Sequence, residues 1–265
     1  MNPGKYSKLP IDPILTELYR QGPNPDFSLP PTAAKMLDML ALSLTPQSPQ
    51  VTLDAANYAR VCGYSSQAAL QKQVRKDLEV LASLSLPAGD RGVRCPLLTG
   101  IQSPGGKLTV TFSQLVTHRL THCPCVDFPT ALLAIDARKS NSYFLGRRLA
   151  EFGAAAHTVP AGLLLESCPY IPSPDDFEGS RSILKRKVVE VFDASMNALQ
   201  SAGIITWRYK TCDTSSYQAF EDSVVEFQLT DHPLRQASAR ERRPIHIDMT
   251  PYLKEGEIFK RTLIF

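Results

Sequence analysis

Residues 179–210, GSRSILKRKVVEVFDASMNALQSAGIITWRYK, carry one periodicity that gives way to another. Leu184, Val188, Val191, Phe192, Met196 and Leu199 recur at steps of three and four, which lays them on one stripe of an α-helix about five turns long. Arg181, Lys185, Arg186 and Lys187 crowd its first turns. Ser180 or Ser182 can cap the start by accepting a hydrogen bond from an orphan backbone N–H, and Gly203 stands where a left-handed stop is expected. Beyond it Ile204, Ile205, Thr206, Trp207, Arg208 and Tyr209 are β-formers, TCDTSS reads as a polar turn, and Val224, Val225, Phe227 and Leu229 resume an extended run. The stretch predicts a basic-tipped helix feeding directly into a two-stranded hairpin.

The rest of the chain sets bounds on what such a unit does. With 265 residues, 43% of them hydrophobic and 21% charged, the protein is globular and has room for two domains with a core in each. A formal charge of +3 and a pI near 8.5 suit contact with an acidic polymer over limited faces, not a surface coated in positive charge. Carboxylates slightly outnumber cations over 128–230, so the second half is not basic overall and only the start of its long helix is. No apolar run approaches the roughly 20 residues of a membrane span, and the opening MNPGKYSKLP lacks the apolar core of a signal peptide. A cytoplasmic protein without membrane partners is expected. The six cysteines are scattered (Cys62, Cys95, Cys123, Cys125, Cys168, Cys212) and read as thiols.

Residues 1–29 hold several prolines and little periodicity apart from a short helical piece around Ile14 to Tyr19, and read as an irregular arm. Pro30 and Pro31 then set up a helix with Met36, Leu37, Leu40 and Leu44 on one face. A second helix runs from about Asp54 to Val61 and stops at Gly63; Ser65 and Ser66 cap a third, whose apolar stripe is Leu70, Val74, Leu78 and Leu81. Its outer face carries Gln71, Lys72, Arg75 and Lys76. Helix, helix, tight turn, helix is a helix-turn-helix order. CPLLTGIQ, a turn at SPGG and KLTVTFSQLV then make a hairpin. After a connector, SYFLGRRLAEFGAAAH reads as a helix, AGLLLESCP as a shorter one and IPSPDDFEGS as a turn, and the opening stretch with its hairpin follows.

The same order of elements therefore occurs twice, in units of about 100 residues. The expected fold class is α+β, with two tandem winged-helix domains, each a helix-turn-helix plus a β-hairpin wing, over 30–127 and 128–235. A basic tail, 236–265, follows.

At this level of detail the chain resembles the winged-helix replication initiator proteins of plasmids and related mobile elements. The residues that carry the resemblance are VCGYSS at the first corner, FPTALLAIDARKSNSYFLGRRLAEF between the units, RSILKRKVVEVFDASMNALQSAGIITWRYK, and the late FQLTDHPLR; together they span 30–235. The resemblance implies binding to repeated duplex sites at an origin, recruitment of host replication proteins, and a homodimer that represses its own promoter. The modest net charge and the acidic Asp175, Asp176 and Glu178 just before the proposed recognition helix depart from that pattern.

A helix of ordinary diameter fits the major groove, where Arg and Lys donate to guanine and Gln pairs with adenine. Candidate contacts are Gln67, Gln71, Lys72, Arg75 and Lys76 in the first unit and Arg181, Ser182, Lys185 and Arg186 in the second. The wings add Arg91, Arg94 and Lys107 in one and Arg208 and Lys210 in the other as phosphate contacts. Catalytic signatures are missing. His246 in PIHID has no histidine partner of the kind rolling-circle initiators use, and no Gly-rich loop with Lys and Ser or Thr is present for nucleotide phosphates. The chain does not read as an enzyme. HRLTHCPC brings His118, His122, Cys123 and Cys125 close in sequence, but ligands packed this tightly rarely complete one tetrahedron, so neither metal nor cofactor is expected. Groove-reading helices serve a transcriptional regulator equally well, and winged helices also pair with protein; both readings stay open at this point.

Overall fold

The computed structural model describes residues 6–13, 18, 29–54, 58, 67–87, 94–102, 107–135, 141–153, 155–172 and 181–230. The second helix and corner of the first unit, the SPGG turn, the acidic segment before the long helix and the tail 236–265 lie outside them, as does most of the arm 1–29.

Strand β1 (Tyr6–Pro10) comes first, so the arm read as irregular contributes a strand. Helix α1 (Pro31–Ser43) begins with a proline whose missing N–H is one of the orphans of the first turn. It is wrapped by protein for nearly its whole length: Ala33, Ala34, Met36, Leu37 and Leu40 are buried, and so are Lys35 and Asp38. β2 (Gln50–Asp54) alternates, with Val51 and Leu53 turned inward. α2 (Gln67–Ser83) buries Leu70, Leu78 and Leu81. After it come β3 (Ser85–Pro87), β4 (Arg94–Pro96), β5 (Leu98–Gln102) and β6 (Lys107–Phe112). α3 (Gln114–His122) is capped by Ser113, whose side chain accepts from the Val116 N–H. β7 (Cys125–Pro129) and a 3-10 turn (Thr130–Ala134) lead to α4 (Asn141–Phe152).

The second half continues with β8 (His157–Pro160) and α5 (Ala161–Leu165). Helix α6 (181–201) is built of an α-helical turn Arg181–Leu184, a π turn Lys185–Val189 and an α-helix Glu190–Ser201. Then follow β9 (Ile205–Thr211), α7 (Tyr217–Glu221) and β10 (Val224–Leu229).

Two three-stranded antiparallel sheets have matching strand orders, β2-β6-β5 and β8-β10-β9. In each, the strand after the half's first helix pairs with the last strand of the hairpin, and the penultimate strand occupies the other edge. Val110 of β6 faces Val51 and Ile101, and Phe227 of β10 faces His157 and Trp207. The fold is thus a mixed α+β arrangement of small sheets, with one three-stranded sheet order used twice. Three further details differ from the sequence reading. The helix read through His157 stops at Phe152, where Gly153 takes a φ of +92°, and His157 instead opens β8. The polar turn after β9 leads into a short helix, α7, capped by Ser216 and anchored by buried Phe220. Arg94, placed in the first wing, sits in β4 against β3, outside the β5–β6 hairpin.

A single hydrophobic cluster runs through both halves. β1 pairs with β7, the connector strand, and α4 lies against α1, β7 and α6. The seat of α4 on α6 depends on Gly146: a Cβ there would stand 2.2 Å from Leu132 Cδ2 and 2.9 Å from Leu199 Cδ2. Gly146→Ala should destabilise the protein by about 1–3 kcal/mol through overpacking, despite alanine's better helix propensity. A thermal melt at or above the wild-type midpoint would contradict this.

Candidate nucleic-acid interface

Each hairpin is preceded by the helix that carries the predicted cations, and the first half is the simpler case. Burying Leu70, Leu78 and Leu81 turns the opposite face of α2 to solvent, where Gln71, Lys72, Arg75 and Lys76 are all exposed. Lys72, Arg75 and Lys76 lie within one turn of each other. Gln67 opens the helix, and its side chain lies outside the described residues. α2 is fixed to α1 by a polar cluster: Asp77 Oδ1 accepts from Thr32 Oγ1 at 2.7 Å and from Gln73 Nε2 at 2.8 Å. Burial pushes the Asp77 carboxyl upward, and the two donors pull it partly back. Lys107 is exposed at the start of β6, next to the hairpin turn and opposite Asp54. Arg94 donates to the Ser85 carbonyl and braces β3.

In the second half, Leu184, Val188, Phe192, Met196 and Leu199 are buried as the stripe predicts, and Gly203 has the left-handed φ of +70° expected of the stop. The Ile204 N–H reaches back to the Leu199 carbonyl at 3.0 Å and closes the helix end. The π turn is new. Its extra residue brings Val189 into the core and leaves Val191 only partly covered. Lys185, Arg186 and Lys187 occupy this wider turn side by side, all three exposed, with Arg181 and Ser182 exposed one turn earlier. Lys187 thus joins the candidate residues.

The π turn also borders a groove of about 520 Å³, with Arg186, Lys187 and Val191 on one side and Pro169, Tyr170, Ile171 and Pro172 on the other. Tyr170 is 58% exposed, the large apolar side chain most open to solvent among the described residues.

The hairpin β9–β10 is locked onto α6 by Trp207, whose Nε1 donates to Asn197 Oδ1 at 3.2 Å, and by Tyr209, whose hydroxyl donates to Asp193 Oδ1 at 2.7 Å. Burial and the Asp193 carboxylate push the Tyr209 phenol well up, so it remains a donor at any ordinary pH. Lys210 is exposed on β9. Arg208 points into solvent and pairs across the hairpin with Glu226, a surface pair worth little in stability and easily exchanged for another anion. Carboxylates temper this face. Asp213, held below the usual carboxylate range by Ser215 and less strongly by Arg181, stands near the helix start.

His118 and His122 stack on one another, with ring centroids 4.2 Å apart. Burial lowers the pKa of His118, and burial pushes the Cys123 thiol up to about 12. Among the described residues no group of three or more His, Cys, Asp or Glu side chains is placed to hold a metal ion. Nor is any helix among them long and apolar enough to cross a membrane.

No protein-family model matches the chain, and the curated proteins contain no match. Among solved structures, the Pi initiator protein, crystallised in complex with iteron DNA, aligns with a TM-score of 0.63 over 87% of this chain and 100% of its own length. The chain shares the fold of the Pi initiator. Identity between the two is 13%, so what they share is backbone architecture, the level at which the sequence resemblance to replication initiators was drawn.

Proposed function

We propose that this protein binds double-stranded DNA sequence-specifically and initiates replication of a plasmid or mobile element by binding repeats at its origin. In this reading the two halves are tandem winged-helix domains, α2 and α6 are the groove-reading helices, and the β5–β6 and β9–β10 hairpins are wings. One observation carries the reading. Both halves place exposed cations on the helix that precedes the hairpin of an identically ordered sheet, within a fold used by an initiator that was crystallised on DNA.

The division of labour follows from the side chains. Arg75, Lys185 and Arg186 suit guanine acceptors or phosphates, and Gln71 suits adenine. Lys107, Lys210 and Arg208, at the hairpins, suit phosphates, as does Lys187. The protein works by binding and distortion without bond chemistry, so it needs no cofactor. Host replication proteins are its partners, and it pairs with itself on inverted sites. Its compartment is the cytoplasm.

Contacts through two helices and two wings displace condensed counterions from several phosphates, so affinity for origin DNA should fall steeply and log-linearly as salt rises, with a slope near −0.9 per phosphate neutralised. The experiment is a salt titration on fragments from the protein's own replicon. Flat binding between low and moderate salt, or no binding to any fragment, would refute the nucleic-acid reading. Short direct repeats within the bound fragment favour an initiator, whereas an isolated inverted repeat at a distant promoter favours a regulator.

A further inference from the structure

The polar residues at the junction of the two halves are buried and have no role in the contacts described so far. Asp38 of α1 is 1% exposed and Arg147 of α4 is 4% exposed. The Tyr143 hydroxyl donates to Asp38 Oδ2 at 2.7 Å, and Arg147 Nε lies 3.3 Å from Oδ1 and 3.2 Å from Oδ2. Arg147 Nη1 reaches Glu151 at 2.6 Å, and Arg148 holds the other Glu151 oxygen at 2.8 Å. Close by, buried Lys35 donates to the Ile135 carbonyl at 2.7 Å. Net stability is a poor reason for such an arrangement, because well-packed apolar residues in place of a buried ion pair are often as stable or more so. A buried pair differs from an apolar contact in tolerating one relative placement of its partners and penalising others.

That placement is passed on in both directions. α1 is bonded to α2 through Thr32 and Asp77, and α4 is keyed to α6 where Leu199 fills the space above Gly146. An unbroken path, α2 to α1 to α4 to α6, therefore joins the two helices that carry the exposed cations. We infer that the Asp38–Tyr143–Arg147 cluster is a ruler, fixing the separation and angle of α2 and α6 so that the protein accepts its two DNA segments at one spacing only. These three are positioning residues and touch no DNA. The inference rests on the duplex-binding reading above. Each base pair inserted between the segments moves the second by 3.4 Å and turns it by roughly a tenth of a revolution, which a rigidly coupled pair of helices cannot follow.

The test uses the full chain and a duplex that it selects from a random-sequence pool, with one, two or three base pairs then inserted between the two footprinted segments. The wild type should lose about tenfold or more in affinity at the first insertion, comparable to one lost base-pair contact. Tyr143→Phe and Asp38→Asn, each checked for a cooperative melt, should bind the parent site more weakly yet show a clearly smaller insertion penalty. Lys72→Ala serves as the control and should lower affinity at every spacing alike. Genetically encoded spin labels at exposed positions Glu79 and Glu190 give a second readout that requires no DNA. Their distance distribution should be narrow in the wild type and broader in Tyr143→Phe. A wild type that binds but ignores inserted pairs overturns the ruler alone, as do folded variants that keep the full penalty and the narrow distribution. Absence of any duplex binding by the wild type overturns the DNA reading and the ruler with it.

Discussion

Asp38→Ala should lower the unfolding free energy by about 3–5 kcal/mol, the range for breaking a buried pair by removing one partner. Without the carboxylate, the Tyr143 hydroxyl and Arg147 Nε face a cavity lined by α1 and α4 that lies out of reach of solvent. Glu151 still neutralises part of the arginine charge, so the loss is that of a network member and not of an isolated ion. The measurement is a denaturant midpoint at constant slope, which separates a stability change from a change in the denatured state. Replacing all three polar residues together, Asp38→Leu with Tyr143→Phe and Arg147→Met, should recover part of the loss: the Asp38 site becomes apolar, and Glu151 loses Arg147 but keeps Arg148. A single-variant cost under about 1 kcal/mol would mean that the site relaxes or admits water and that its polar bonds do not hold the halves together.

The second large effect concerns binding and leaves stability alone. Lys185→Ala combined with Arg186→Ala removes two exposed side chains from the π turn of α6, while Leu184 and Val188 on either side keep the helix seated in the core. The melting behaviour should stay within about 0.5 kcal/mol of wild type, as exposed substitutions usually do. Affinity for the origin should fall instead. A base-reading residue costs roughly 1–3 kcal/mol and relaxes specificity at its position, whereas a phosphate contact weakens all sequences alike and flattens the salt slope by about one. Unchanged affinity and slope in a normally folded double variant would take α6 out of the interface and leave Lys72 and Arg75 of α2 as the carriers of binding.

The α6 stripe and the Gly203 stop could be read from the sequence because a long amphipathic helix with a glycine terminus repeats one signal many times. The hairpin strands were legible as runs of β-formers bounded by turn residues. The π turn was not, since one extra residue in a single turn leaves the spacing of the flanking stripe nearly intact while exchanging Val191 for Val189 at the core. α7 and β8 are too short to build a period; the trace of α7 is Ser216 capping just ahead of apolar Phe220. Arg94 looked like a wing residue because nothing local says which of several short strands β4 will join. The junction was the least legible part. Lys35, Asp38 and Arg147 are residue types that ordinarily face water, and their burial is decided by α1 and α4 meeting across a separation of a hundred residues.

The pairing of β1 with β7 bears on how the chain is made. Pro10 faces Cys125 and Tyr6 faces Pro129, so β1 leaves the ribosome more than a hundred residues ahead of its partner. At ordinary synthesis rates it waits on the order of ten seconds as a nascent strand with no neighbour, the state in which an edge is most prone to mispair. YSKLP suits that wait. It is short, Pro10 offers no N–H to a wrong partner, and the Lys8 charge discourages stacking against another copy. When β7 is finally translated, the lysine that kept the strand soluble closes a 2.6 Å ion pair with Asp127, and the Tyr6 hydroxyl donates to the carbonyl of Thr230, which only a nearly complete second half can present.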